Sequence, residues 1–187
     1  MNPELRSNLY LPVRALLAPN VAGLVYRSLL LKHWRGDHKG DDGQVPSSAA
    51  FFEDSITDAL LYELLPKVEE LSGCKLIPTY TYARLYFYGN TLEAHRDREA
   101  CEISASINLG CSGGDPSIWF EPNNRVEMNP GDGAIYLGRE AEHWRPEFQG
   151  EIMGQVFAHF VIADGQFASF AYDKKRYLFP PLVWDGI

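Results

Sequence analysis

The chain has 187 residues and a formal net charge of −8, a balance that gives no support for broad binding to nucleic acid or to an anionic membrane. Its length suits one domain over residues 1–187, its 45% hydrophobic and 22% charged residues are those of a globular protein, and its 13% aromatic residues favour a β-rich fold. Cys74, Cys101 and Cys111 form no C-x-x-C pair, which reads as reduced thiols in a cytoplasmic protein. The N-terminus lacks the plan of a signal peptide, and no apolar run approaches the ~20 residues of a membrane span.

The first elements are helical. Residues 19–33, PNVAGLVYRSLLLKH, place Pro19 in a first turn and repeat apolar positions every three or four residues. Residues 35–48 are polar and Gly-rich, a loop or a lid. Residues 54–72 form a second helix capped by Asp54 or Ser55, with a stripe running from Ile56 to Leu71, a kink or break expected at Pro66, and an end at Ser72-Gly73.

From Leu76 the period changes to two. In IPTYTYARLYFYG, Tyr80, Tyr82, Arg84, Tyr86 and Tyr88 share one face. CEISASINL alternates again, with Glu102, Ser104, Ser106 and Asn108 on one side; SIWFEPNNRVEM reads as a hairpin, NPGDG as a turn, AIYLG and GQVFAHFVIADG as strands, and the tail from Ala168 as one more strand followed by irregular chain. The plan is an N-terminal helical support with a loop (1–75) and a core of roughly eight short strands (76–172), a sandwich or jelly roll.

Between the first two strands lies His95-Arg96-Asp97. A protein-kinase catalytic loop carries the same three letters, but it needs Asn five residues beyond its Asp, and that position is Glu102. His-x-Asp with a second, distant His instead makes a facial triad that leaves three positions of an octahedral Fe(II) free. Of the five histidines, His33 and His38 precede the strands, His143 follows the turn-strand unit, and His159 sits mid-strand in VFAHF.

The ordered set Tyr88-Gly89-x-x-Leu92-x-x-His95-x-Asp97, Pro130-Gly131-Asp132 and Glu142-His143-Trp144-Arg145 resembles the Fe(II)/2-oxoglutarate-dependent oxygenases, closest to their prolyl-hydroxylase-like branch, over about residues 76–163. The resemblance implies a mainly β fold with N-terminal helices, a cupin-like double-stranded β-helix, in which His95, Asp97 and His143 bind iron. It also implies an enzyme that uses O2 and decarboxylates 2-oxoglutarate to succinate while hydroxylating a C–H bond of an amino acid, a peptidyl side chain or a small organic molecule. His159 competes with His143 as third ligand; His143 is preferred because it follows the Pro-Gly-Asp turn.

One feature departs from the pattern. Family members carry Arg or Lys some ten to twelve residues after the second His, where this chain has Met153, Gly154 and Gln155. Arg145 and Arg84 are the candidate anchors for the cosubstrate carboxylate, with Tyr82, Gln155 and His159 as further donors; Arg84 also reads as a structural ion pair or a cation over a Tyr ring. Tyr86, Tyr88, Ser104, Ser106 and Trp144 are candidate pocket residues, and Arg98 is a candidate support for Asp97 or Glu102. The missing cation keeps open a cupin-like metalloenzyme that does not use 2-oxoglutarate, and a non-catalytic jelly-roll binding module is the third reading. The run DKKR at 173–176 reads as a solvated turn.

Overall fold

The computed structural model describes residues 1–38 and 43–175. Three helices and ten strands follow one another as α1 (Pro3–Asn8), β1 (Tyr10–Val13), α2 (Pro19–Arg35), β2 (Ala49–Phe52), α3 (Ser55–Ser72), β3 (Leu76–Phe87), β4 (Leu92–His95), β5 (Ile103–Ser112), β6 (Ile118–Phe120), β7 (Asn124–Val126), β8 (Gly133–Tyr136), β9 (His143–Arg145) and β10 (Ile152–Ile162). They build a six-stranded sheet in the order β1-β8-β5-β10-β3-β2 and a four-stranded sheet in the order β4-β9-β6-β7, with every pairing antiparallel. This is the expected jelly roll: eight strands after Leu76 divide between two facing sheets.

The helices form where their ends are chemically marked. Asn2 caps α1 by accepting from the Glu4 and Leu5 amides, and Asp54 caps α3 by accepting from Ile56. Gly36 and Gly73 close α2 and α3 in the left-handed conformation. Pro66 neither divides nor ends α3, which runs as one helix through Ser72. The N-terminal segment also contributes two edge strands that carried no period-two pattern: β1 pairs with β8, and β2 pairs with β3.

Alternation sorts the large sheet into two chemistries. Ala83, Leu85, Ile103, Ala105, Ile107, Val156, Ala158 and Phe160 face the helices and form the main core with Leu29, Leu60, Leu61 and Leu64. The other face looks into the space between the sheets and is largely polar. There the register sets Gln155 beside both Arg84 and Asn108, Phe157 beside both Tyr82 and Ser106, and His159 beside Ser104. A polar inner face that is buried demands internal partners.

Two devices hold the helices and the N-terminal segment in place. Gly110 on β5 and Gly154 on β10 form a shelf for the Tyr26 ring of α2; a Cβ built on either would stand 2.5 Å from that ring. Asp132 ends the Pro-Gly-Asp turn and accepts from the Ala15 amide (2.8 Å), the Asn129 amide (3.0 Å) and Arg14 (2.7 Å). Burial opposes its charge, yet these donors hold its carboxyl below the ordinary value.

The tail departs from expectation. Residues Ala168–Lys174 form 3-10 turns rather than a strand, and the DKKR stretch is not simply solvated: Asp173 pairs with Arg98, and Lys175 with Glu53. Arg176 lies outside the described residues. So do residues 39–42 of the expected 35–48 lid; on either side of them Gly36 caps α2 and Gln44 reaches Arg84.

Gly110→Ala should destabilise the fold by about 1–3 kcal/mol through overpacking against Tyr26, and Tyr26→Ala in the same chain should recover part of that loss, read as Tm in thermal unfolding. The lowered Asp132 pKa contributes stability that is present above the unfolded value of about 3.9 and lost as pH falls through the folded value. Asp132→Asn should therefore lower Tm at neutral pH and flatten its decline below about pH 4.

Candidate active site

His95 ends β4, Asp97 follows it in the connecting loop, and His143 opens β9, which lies beside β4 with His143 opposite His95. Strand pairing thus brings together residues 46 to 48 positions apart in sequence. The Asp97 Oδ1 atom lies 3.7 Å from His95 Nε2 and 3.8 Å from His143 Nε2. Two atoms each about 2.1 Å from one ion lie at most about 4.2 Å apart, so both separations suit a shared metal ion.

The tautomers follow from the hydrogen bonds. His95 Nδ1 lies 2.9 Å from the Glu93 carbonyl and His143 Nδ1 3.0 Å from the Ala141 carbonyl. A carbonyl only accepts, so each Nδ1 carries the proton and each Nε2 presents a lone pair toward Asp97. Burial keeps both rings neutral: it pushes His95 below its ordinary value and His143 down to about 3. Burial also pushes the Asp97 carboxyl up to about 7, against the Ser104 hydroxyl, Arg98 and Tyr136, which favour its charged form. Two neutral donors and a carboxylate whose charge lacks a partner form a set that a divalent cation completes.

The support behind Asp97 was only partly anticipated. Ser104 donates to Asp97 Oδ2 at 3.0 Å and lies 2.9 Å from His159 Nδ1. Its single proton goes to the carboxylate, so His159 donates to Ser104. Ser104 therefore braces Asp97 rather than lining the pocket. Gly138, which closes the AIYLG segment, was missed. Its carbonyl accepts from the Asp97 amide at 2.8 Å, and a Cβ there would meet the Cys101 carbonyl at 2.2 Å and Asp97 Oδ2 at 2.6 Å. A glycine ending the strand after the Pro-Gly-Asp turn was the available signal.

A second group, Asp97, Cys101 and His159, is equally compact. It suits a metal less well. Burial pushes the Cys101 thiol up to about 12, and its sulfur lies 3.1 Å from the Tyr80 hydroxyl, so the thiolate needed for ligation is disfavoured. His159 Nδ1 is taken by Ser104.

The triad opens on a cavity of about 300 Å³ walled by Tyr80, Tyr82, Arg84, Leu92, Phe157 and His159, with Arg96 and Arg98 also bordering it. Behind this wall lies Arg145, 3% exposed. Its Nη2 donates to Ser106 (2.9 Å) and Gln155 (3.2 Å); its Nε and Nη1 are buried without a partner, and no carboxylate among the described residues pairs with it. Burial pushes its guanidinium down, and the charge of Arg84 adds to the effect. Arg84 donates to Gln44 and Tyr82 and lies over the Tyr82 and Tyr86 rings. Gln155 and Ser106 thus serve Arg145, and Tyr86 and Arg145 border a separate small cavity, while Arg84 borders the one at the His-Asp-His set.

Three candidates lie elsewhere. Tyr88 falls past the end of β3 and is 69% exposed. Trp144 alternates with His143 and Arg145, so it faces outward and stacks near Trp119. Arg98 supports neither Asp97 nor Glu102 by a direct bond: it pairs with Asp173 at 2.9 Å and lies 4.5 Å over the Tyr80 ring, while Glu102 accepts from the Ile162 amide. The Arg96 side chain turns to Glu121 and Glu142, as its place between His95 and Asp97 requires.

The chain matches no family model and no curated protein sequence. Its fold is shared with solved structures. A viral collagen prolyl hydroxylase from Paramecium Bursaria Chlorella virus-1 superposes with a TM-score of 0.63 at 12% identity, covering 83% of this chain and 97% of that one. A prolyl-4-hydroxylase from Pseudomonas putida gives 0.63 at 14%, covering 83% and 94%. The α-ketoglutarate-dependent epimerase SnoN from nogalamycin biosynthesis gives 0.69 at 13%, covering 85% and 80%. The jelly roll is therefore shared with these two prolyl hydroxylases and this epimerase. Among the described residues no helix is long and apolar enough to cross a membrane.

Cobalt(II) titration of the whole chain should give a saturable visible absorption band. Ser104→Ala should weaken that binding about ten- to hundredfold, and Gly138→Ala at least as much, with the far-ultraviolet circular dichroism of the sheets retained.

Proposed function

We propose that the protein is a non-haem Fe(II)- and 2-oxoglutarate-dependent oxygenase that hydroxylates a C–H bond of an amino acid, a peptidyl side chain or a small organic substrate. The observation that carries this reading is the pairing, within one jelly roll, of a His-Asp-His set with a buried guanidinium that has two unpartnered nitrogens. The first asks for a divalent cation and the second for an anion. A 2-oxoglutarate molecule would meet both needs, since its keto-acid end chelates a metal and its far carboxylate is a bidentate acceptor.

His95, Asp97 and His143 would hold the iron on one face, leaving the other face toward the cavity. Bound there, iron supplies the site at which O2 is reduced as 2-oxoglutarate loses CO2 to become succinate. Arg145 and Arg84 would bind the far carboxylate of the cosubstrate. Ser106 and Gln155 aim Arg145, and the phenol rings of Tyr82 and Tyr86 shield the pair from water and so strengthen its attraction for an anion. Leu92 and Phe157 give the cavity its apolar wall.

The absence of a cation at 153–155 no longer counts against 2-oxoglutarate. Met153 packs in the apolar cluster with Tyr86 and Phe157, Gly154 makes room for Tyr26, and Gln155 accepts from Arg145. In this reading the charge comes from Arg145 on β9 and Arg84 on β3 instead of from the last strand. A cupin-like enzyme without 2-oxoglutarate, motivated by that gap, loses its main support, and no observation favours a non-catalytic module.

Anaerobic addition of Fe(II) and 2-oxoglutarate should produce a metal-to-ligand charge-transfer band, and aerobic incubation should release succinate. Arg145→Ala should weaken 2-oxoglutarate binding on the order of a hundredfold while cobalt(II) binding persists. Unchanged 2-oxoglutarate affinity in Arg145→Ala and in Arg84→Ala would overturn the assignment of the anchor, and no charge-transfer band in the unaltered protein would overturn the function.

A further inference from the structure

Two arginines border the mouth of the cavity, and their partners differ in kind. Arg96 is held by the fold: it meets Glu121 beside β6, Glu142 beside β9 and the Glu140 carbonyl. Arg98 is held on one side only by the framework. Its guanidinium lies 4.5 Å over the Tyr80 ring, and its Nε donates to the Tyr80 hydroxyl at 3.3 Å. Tyr80 is itself fixed by the Cys101 sulfur at 3.1 Å and the His159 ring at 4.6 Å. The fork of Arg98 is thus preorganised, and its anionic partner, Asp173, comes from the segment after the last strand.

That segment is held under backbone strain. Tyr172, Asp173 and Lys174 have φ of 53°, 52° and 63°, three successive side chains in the left-handed region, which L-residues adopt singly rather than in runs. A carboxylate presented from such a turn, to an arginine 45% exposed at the rim of the cavity, is a counter-ion that an outside carboxylate can replace, with release of the strained turn.

We propose that Arg98, backed by Tyr80, is the subsite for a carboxylate of the substrate, and that Asp173 occupies it until the substrate arrives. The substrate class is then a small carboxylic acid with an apolar body. The cavity of about 300 Å³ stands at the lower end of the usual range for ligand pockets, about 300–1,000 Å³, and the cosubstrate takes part of it. Beside Arg98 and Arg84 its walls are the rings of Tyr80, Tyr82 and Phe157. Arg98 directly follows the ligand Asp97, so a carboxylate seated on it sets the body of the acid beside the metal site. The charge sense is selective: with the cosubstrate carboxylate on Arg145 and Arg84, Arg98 is the cation that meets a second carboxylate at the rim, and an amide lacks the charge that repays displacing Asp173. This inference rests on the oxygenase reading for what happens to the acid, but not for its binding.

The test uses the full chain and a matched pair of probes, 3-phenylpropionate and 3-phenylpropionamide, followed by calorimetry or ligand-observed NMR. Each is titrated with and without zinc(II) and N-oxalylglycine, a 2-oxoglutarate analogue. The acid should bind about tenfold more tightly than the amide, the difference made by a charge-assisted bidentate contact. Asp173→Asn should tighten the acid about two- to fivefold by removing the internal competitor and leave the amide unchanged. Arg98→Gln should erase the difference between acid and amide while N-oxalylglycine still binds. Equal affinity of acid and amide for the unaltered protein, no binding of either, or an acid preference that survives Arg98→Gln would each overturn the proposal. Failure of N-oxalylglycine to bind, with the acid preference intact, would instead tell against the oxygenase reading, and so separates the two. Binding only of a peptide carrying the same ring, with no response to its carboxylate, would assign the cavity to a peptidyl side chain and also overturn the proposal.

Discussion

The site depends on a carboxylate placed where its charge has no sufficient partner. Asp97 is buried far enough that its carboxyl is pushed up to about 7, although Ser104, Arg98 and Tyr136 all favour its ionised form. The two imidazoles beside it are kept neutral by the same burial and are turned by backbone carbonyls so that their lone pairs converge on its oxygen. Each feature would be unfavourable alone; together they define a place for a small cation. The surroundings preserve that placement: a carbonyl from Gly138 fixes the Asp97 amide, the missing side chain of Gly138 leaves room for the carboxylate, and Ser104 ties the second oxygen to His159.

An opposite imbalance lies deeper between the sheets. Arg145 is a buried cation with two nitrogens unused, and Arg84 stands close enough to disfavour its charge. A buried guanidinium with unused donors is costly unless an anion joins it. The His-Asp-His set and Arg145 belong to β4, the loop after it and β9 of the four-stranded sheet, opposite the polar inner face of the large sheet, whose other face is the apolar core. Within the large sheet the division follows from period-two alternation: one residue of slip on β5 or β10 would turn its polar side chains toward the helices and its apolar ones into the space between the sheets.

Much of this was legible in the residues. The alternation of Tyr80, Tyr82, Arg84 and Tyr86 against Ala83 and Leu85, and of Ser104, Ser106 and Asn108 against Ala105 and Ile107, predicted the sheet faces that the structure has. It failed at Tyr88, where the strand had already ended, because alternation says nothing about where hydrogen bonding stops. It also failed for Trp144: a residue next to a ligand in a strand must face away from it. The edge strands β1 and β2 left no signal because four-residue edge strands need only a neighbour with open backbone groups.

By itself, the sequence determined what is local: the helix caps at Asp54 and Gly73, the period of the strands, and the His-x-Asp spacing that puts two donors on one turn of chain. Only the tertiary structure decided what depends on pairing across distance. It set His143 beside His95 through β4 and β9, placed a buried cation at Arg145 beside Gln155, made Ser104 a brace for Asp97, and gave Arg98 to Asp173. The physical reason is that antiparallel register, not sequence separation, determines which side chains share a face, and burial then decides which of their charges remain without partners.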